Sequence, residues 1–187
     1  MAAWLGSDDE FLALCGAVGL GRLLAEGRWD VLPRLRELSA DPRWRVREGV
    51  AMALQRWGDE DVEALAAELT RWAGGNRYEQ RAAAGGLCEP RLLKSGTVAS
   101  AALDLLDRIT YSMLDAADSR SDGFRVLRQT MGYGWSVAVA ALPDPGLARF
   151  TRWERSSDPH VQWIVRENLK KDRLKRLRSS GPLAGAE

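Results

Sequence analysis

Apolar residues recur at helical spacing along almost the whole chain. No Val-, Ile- and Thr-rich stretch alternates strictly in twos, so the pattern predicts helices and no strands. Ser7 and Glu10 have the spacing of a capping box, which starts a first helix that runs through EFLALCGAVGLGRLLAEG and ends at Gly27. Its glycines at 16, 19 and 21 allow a neighbouring helix to come close. A second helix covers about residues 30–39. Asp41-Pro42 opens a third, with Asp suited to the cap and Pro to the first helical position. Val46, Val50, Ala53, Leu54 and Trp57 form its apolar stripe and Gly58 stops it. A fourth, capped by Asp59, runs from Glu60 to Trp72 with Val62, Leu65, Ala66, Leu69 and Trp72 on one side. Trp57 and Trp72 lie on the apolar sides of their helices and read as core.

The fifth helix spans Arg77 to Cys88, and its RAAAGGL run makes one side unusually small. Pro90 then interrupts the chain. A sixth runs from about Val98 to Ala117. After the DSRSDG turn Asp122 caps a seventh, from Phe124 to Leu142, with a kink expected at Gly132 and Gly134. PDPG reads as a turn before an eighth helix, Leu147 to Arg155, and SSDP opens a ninth, His160 to Leu177. The sequence thus predicts about nine helices in one domain over residues 1–177. Residues 178–187, RSSGPLAGAE, are expected to form a disordered tail.

The helix starts repeat. They follow Asp41, Asn76, Asp122 and Asp158, at intervals of roughly 35, 46 and 36 residues, in the range of two-helix repeats. Trp44-Arg45-Val46-Arg47-Glu48-Gly49-Val50 aligns with Trp163-Ile164-Val165-Arg166-Glu167-Asn168-Leu169 as W-x-V-R-E-x-[V/L], with Asp-Pro ahead of both. In these features the chain resembles the HEAT-repeat family. The resemblance implies an all-α, right-handed α-solenoid of about four helical pairs, with a concave face that takes an extended partner. It also implies a structural ladder of Asp with an Arg six residues on, matched by Asp41 with Arg47 and by Asp122 with Arg128. Two copies depart from that spacing: Arg81 lies five residues after Asn76, and Arg166 lies eight after Asp158. Repeats of this kind bury a continuous core only when stacked, whatever the family name.

Composition narrows the function. The 187 residues are 45% hydrophobic and 28% charged, an ordinary globular profile. Lys plus Arg number 27 against 26 Asp plus Glu, which argues against a dedicated DNA-binding domain. Cys15 and Cys88 stand apart without a CxxC, and His160 is the single histidine, so no Cys/His metal site is expected. The acidic Ser7-Asp8-Asp9-Glu10 stretch before the first apolar run does not suit a secretion signal, and that run is too short to span a bilayer. A cytoplasmic, membrane-free protein with reduced thiols is the expectation. No GxSxG elbow, P-loop or strand-borne GxGxxG is present, so no catalytic residue and no cofactor are assigned.

Candidate binding residues come from positions off the apolar stripes. Trp44 and Trp163 each precede a glutamate by four residues, Glu48 and Glu167, and so share a helix face with it. One reading is an aromatic-carboxylate surface for a flat or cationic ligand; the other is an indole that covers the seam between repeats. The segment WIVRENLKK also resembles the closing helices of HEAT-like alkylpurine DNA glycosylases, which implies a groove for damaged DNA. That family's catalytic Asp has no counterpart beside Trp135, so none is carried over. Arg166, Lys170, Lys171, Arg173, Lys175, Arg176 and Arg178 face only Glu167 and Asp172, a basic cluster suited to phosphates or to a terminal helical cap. His160 is assigned no role.

Two functions follow. The first is a non-catalytic scaffold that binds a protein partner on its concave face. The alternative is a DNA-binding protein of the alkylation-repair type. Trp44, Glu48, Trp163, Glu167, Arg45, Arg81, Arg128, Lys170 and Lys171 are the binding residues in either case. Arginines gathered on one face favour DNA; arginines interleaved with carboxylates favour protein.

Overall fold

Side chains that take up free N–H groups of the first turn set five of the helix starts, whereas the helix that begins at Trp44 starts without one and not at the expected Asp41-Pro42. The computed structural model describes residues 2–179, as eleven α-helices with no strand among the described residues. They are α1 (Ala2–Leu5), α2 (Glu10–Ala25), α3 (Leu32–Leu38), α4 (Trp44–Gly58), α5 (Val62–Trp72), α6 (Arg77–Leu87), α7 (Gly96–Met113), α8 (Asp122–Ala141), α9 (Pro143–Glu154), α10 (Pro159–Leu169) and α11 (Asp172–Ser179). A 3-10 turn, Trp29–Val31, precedes α3. Asp9, Asp61, Asn76, Ser121 and Asp158 cap α2, α5, α6, α8 and α10 through their side-chain oxygens.

Several expected boundaries move. The cap of α2 is Asp9, whose carboxylate accepts the Phe11 N–H, while the Ser7 hydroxyl accepts the Asp9 N–H. The cap of α5 is Asp61 rather than Asp59, and that of α8 is Ser121 rather than Asp122. PDPG is the first turn of α9 and not a connecting turn, because its prolines sit where a missing N–H costs no helical bond. α7 stops at Met113, just before Asp115 in the left-handed region at φ 49°. The expected ninth helix divides at Lys170 and Lys171 into α10 and α11, and α1 is an extra helix. α8 continues without a break through Gly132 and Gly134. Of the expected tail, Arg178 and Ser179 belong to α11; residues 180–187 lie outside the described residues.

The helices pack in two rows. α2, α4, α6, α8 and α10 lie side by side in that order as a front row. α3, α5, α7 and α9 form a second row against them, and α11 rests on α8 and α10. The core between the rows includes Leu54, Trp57, Leu69, Trp72, Leu103, Phe124, Trp135 and Phe150, all at most 1% exposed. The buried Trp135 indole donates to the Thr110 hydroxyl, and Trp153 donates to Asp107. α2 and α4 approach most tightly at Gly21, where a Cβ would stand 2.2 Å from the Ala53 carbonyl oxygen.

Candidate functional site

From α4 onward the front row is joined helix to helix by arginines lying over aromatic rings. Arg47 of α4 lies 5.4 Å from the Tyr78 ring of α6, Arg77 of α6 5.4 Å from Phe124 of α8, and Arg128 of α8 4.7 Å from Trp163 of α10. Each contact fixes one helix against the next. This differs from the expected Asp–Arg pairing. The Asp41 carboxylate is held by the nearer Arg43, at 2.8 and 2.9 Å, and Arg47 donates instead to the backbone carbonyls of Asp41 and Pro42. Asp122 pairs with Arg125, one turn away and facing solvent, whereas Arg128 turns toward α10 and reaches His160 Nδ1 at 3.0 Å. His160, given no role from sequence, also packs edge-on against Phe124.

A groove opens on this face over α6. Gly85 leaves that helix without a side chain where a Cβ would be 3.8 Å from both Ala51 of α4 and Thr130 of α8, so the flanking helices stand as walls. Trp44, Arg47, Arg81, Val126, Gln129 and Thr130 line a cavity of about 320 Å³. The Trp44 indole is 56% exposed, with the Arg45 guanidinium 4.7 Å from its ring. Arg81 bridges α6 to α4, donating to the Arg47 carbonyl at 3.1 Å and to Glu48 at 2.8 Å. Arg47 spends only Nη1 on hydrogen bonds; its Nε and Nη2 make none among the described residues.

The two Trp/Glu pairs therefore differ. Trp44 is open on the groove and Glu48 is tied to Arg81. Trp163 is half-buried: its ring covers Gly132, whose Cβ would sit 3.0 Å away, and Arg128 lies over the ring at 4.7 Å. Glu167 pairs with Lys170 at 2.5 Å. Lys171 lies over Tyr133, as does Arg173, which also donates to the Tyr133 hydroxyl. The structure thus brings Trp44, Glu48 and Arg81 together, with Arg45 beside them, and places Arg128, Trp163, Glu167, Lys170 and Lys171 along the α8–α10 seam. Gln129 and Thr130 have no assignment from sequence and Arg47 has one only in the ladder, since nothing in their local sequence shows that α6 is recessed between them.

Charge along this face is mixed. Arg45 pairs with Glu10, Arg77 with Asp118, Arg81 with Glu48, Arg125 with Asp122 and Lys170 with Glu167. The Arg77 guanidinium holds the Asp118 carboxyl below its ordinary range, and Arg43 does the same for Asp41. Arg47 and Arg128 make no ion pair among the described residues, and Arg128 Nε is buried without an acceptor. Burial pushes the Cys88 thiol up to about 12. Among the described residues no three His, Cys, Asp or Glu side chains are grouped to hold a metal ion, and no helix is long and apolar enough to cross a membrane. Comparison with protein-family models, curated proteins and solved structures finds no match to the chain.

Proposed function

We propose that the chain is a non-catalytic interaction module: a short, right-handed solenoid of HEAT-like helical pairs that binds a protein partner on the concave face presented by the front row. The serial packing of α2, α4, α6, α8 and α10, with a second row behind, supports the solenoid reading. The observation that carries the function is the groove over α6, where an exposed indole stands among arginines of which Arg45 and Arg81 are paired with carboxylates. An exposed aromatic beside satisfied charges is the composition of a protein-binding patch, in which aromatic and Arg anchors supply most of the energy. Duplex DNA carries a charge about every 1.7 Å and rewards a continuous cationic track. Glu10, Glu48, Asp122 and Glu167 break such a track here.

The test compares affinity capture by the wild-type chain, a front-face variant, Trp44→Glu, and a second-row variant, Thr70→Glu. A partner held by the wild type and by Thr70→Glu but lost by Trp44→Glu supports the proposal. Saturable, salt-sensitive binding of duplex DNA that is lost in Trp44→Ala would replace it with the DNA reading.

A further inference from the structure

We infer that the groove over α6 is a docking site for a short acidic protein segment that carries an apolar side chain next to a carboxylate. This rests on the interaction-module reading and names the partner's chemistry. The groove offers three kinds of group in one place. The Trp44 indole gives an exposed apolar face. Arg47 lines the cavity and gives a guanidinium whose Nε and Nη2 have no acceptor among the described residues, while its Nη1 is anchored on two backbone carbonyls. Gln129, on the opposite wall, can exchange hydrogen bonds with a peptide backbone, and the Thr130 hydroxyl, which donates to the Val126 carbonyl, can accept one.

Anchoring matters here. A guanidinium held at one end by main-chain carbonyls, and lying over Tyr78 at 5.4 Å, is already ordered before a ligand arrives. A carboxylate would meet the remaining edge as a two-pronged fork, the geometry that Arg favours over Lys. The neighbouring Arg81 is occupied by Glu48 and the Arg47 carbonyl, so Arg47 is the cation left to a ligand in this cavity. A cavity of about 320 Å³ suits one or two side chains, at the low end of ligand pockets. A nucleic-acid backbone would have to lie against Glu48 and Glu167 as well.

The test is a fluorescence-anisotropy titration of a labelled synthetic peptide in which glutamates alternate with leucine and phenylalanine. Its glutamine-for-glutamate version serves as the neutral control and duplex DNA as a competitor. The glutamate peptide is expected to bind saturably, and the glutamine version about tenfold more weakly or worse, the loss expected for one good contact. Trp44→Ala and Arg47→Gln should each weaken the glutamate peptide about tenfold, with Arg47→Lys recovering part of the loss. Arg47 also supports the start of α4, so Gln129→Glu provides a second variant: its added carboxylate on an exposed wall should weaken the glutamate peptide and spare the glutamine one. Equal binding of both peptides, lost together in Trp44→Ala, would overturn the acidic specificity and leave the interaction module standing. No binding of either peptide would overturn the inference alone, since the capture experiment tests the module separately. Displacement of the peptide by duplex DNA would overturn both.

Discussion

Asn168 is fully buried in α10, and its side-chain amide is spent on the join to α8. Nδ2 donates to the carbonyls of Met131 and Ile164, both at 2.8 Å, and Oδ1 accepts the Ser136 N–H at 2.8 Å. Truncation to Ala removes two bonds that cross between helices and one within α10. Each intact bond is worth about 1 kcal/mol net, and each buried group left unpaired costs about 1–3 kcal/mol. Asn168→Ala should therefore cost about 2–4 kcal/mol, a large share of the roughly 5–15 kcal/mol that holds a domain together. At about 2–4 °C per kcal/mol for a chain of this size, Tm falls by roughly 4–16 °C. Urea unfolding followed by far-UV circular dichroism gives the free energy directly. Asn168→Asp sharpens the test, since a carboxylate keeps the acceptor for Ser136 but faces the Met131 and Ile164 carbonyls with no donor. Burial and those carbonyls raise its folded-state pKa above the unfolded value of about 3.9. The variant is then most stable below that value, where the acid is protonated in both states, and loses stability as pH rises toward the folded pKa. A loss below about 1 kcal/mol in Asn168→Ala, or a pH-independent deficit in Asn168→Asp, would refute the assigned role of the amide.

Trp44→Ala should change stability by less than about 1 kcal/mol, while Trp57→Ala, which empties a fully buried site, should cost about 3–5 kcal/mol, both read by urea unfolding. Cys88, buried and with its thiol pushed up to about 12, should stay unmodified by a thiol-specific disulfide reagent at neutral pH in the native protein and react on unfolding. Asp41 and Asp118 are held below their ordinary value of 3.8 by Arg43 and Arg77, so their contribution to stability is complete above that value and lost as pH falls through the depressed one. Asp41→Asn should accordingly flatten the acid limb of a stability-versus-pH curve. Gly21→Ala places a Cβ 2.2 Å from the Ala53 carbonyl oxygen, against Ala53 backbone, so the helices must separate at a cost on the order of 3 kcal/mol or more, and Tm should drop by roughly 6–12 °C or more.

Most of the helical framework can be read from caps and periodicity, because both act over one or two turns. The start of α6 after Asn76 is a case where a side-chain cap and an apolar stripe coincide. Reading fails where two local signals compete. PDPG has the composition of a turn, yet proline's fixed φ also suits a first helical turn, and the packing of Gly146 against Val139 at the end of α8 selects the helix. Lys170 and Lys171 carry no helix-breaking signal, yet α10 ends there and α11 packs back on α8. The site was half legible for a similar reason. Trp44 and Trp163 are both off their apolar stripes, but whether such an indole is free depends on the neighbouring helix. Gly132 of α8 makes a seat for Trp163, and Trp44 meets an open groove over α6.

The W-x-V-R-E-x-[V/L] alignment shows which positions a helical stack dictates and which it leaves free. Its first apolar member is buried in both copies, as Val46 and Val165. The remaining positions answer to the distance and identity of the next helix. Gly49 lets α4 sit against α2, where a Cβ would stand 2.9 Å from the Leu14 carbonyl oxygen. Its counterpart Asn168 fills a wider gap between α10 and α8 and makes that gap a hydrogen-bonded joint. Arg47 stacks on Tyr78 of the following front-row helix, but Arg166 has no partner among the described residues, because α10 is the last of that row and α11 packs across α8 and α10. The arginine-on-aromatic contact thus depends on having a next helix. Where the row continues, the guanidinium lies on the seam, and Arg47, whose Nε and Nη2 stay without an acceptor among the described residues, is the one the proposed docking would use.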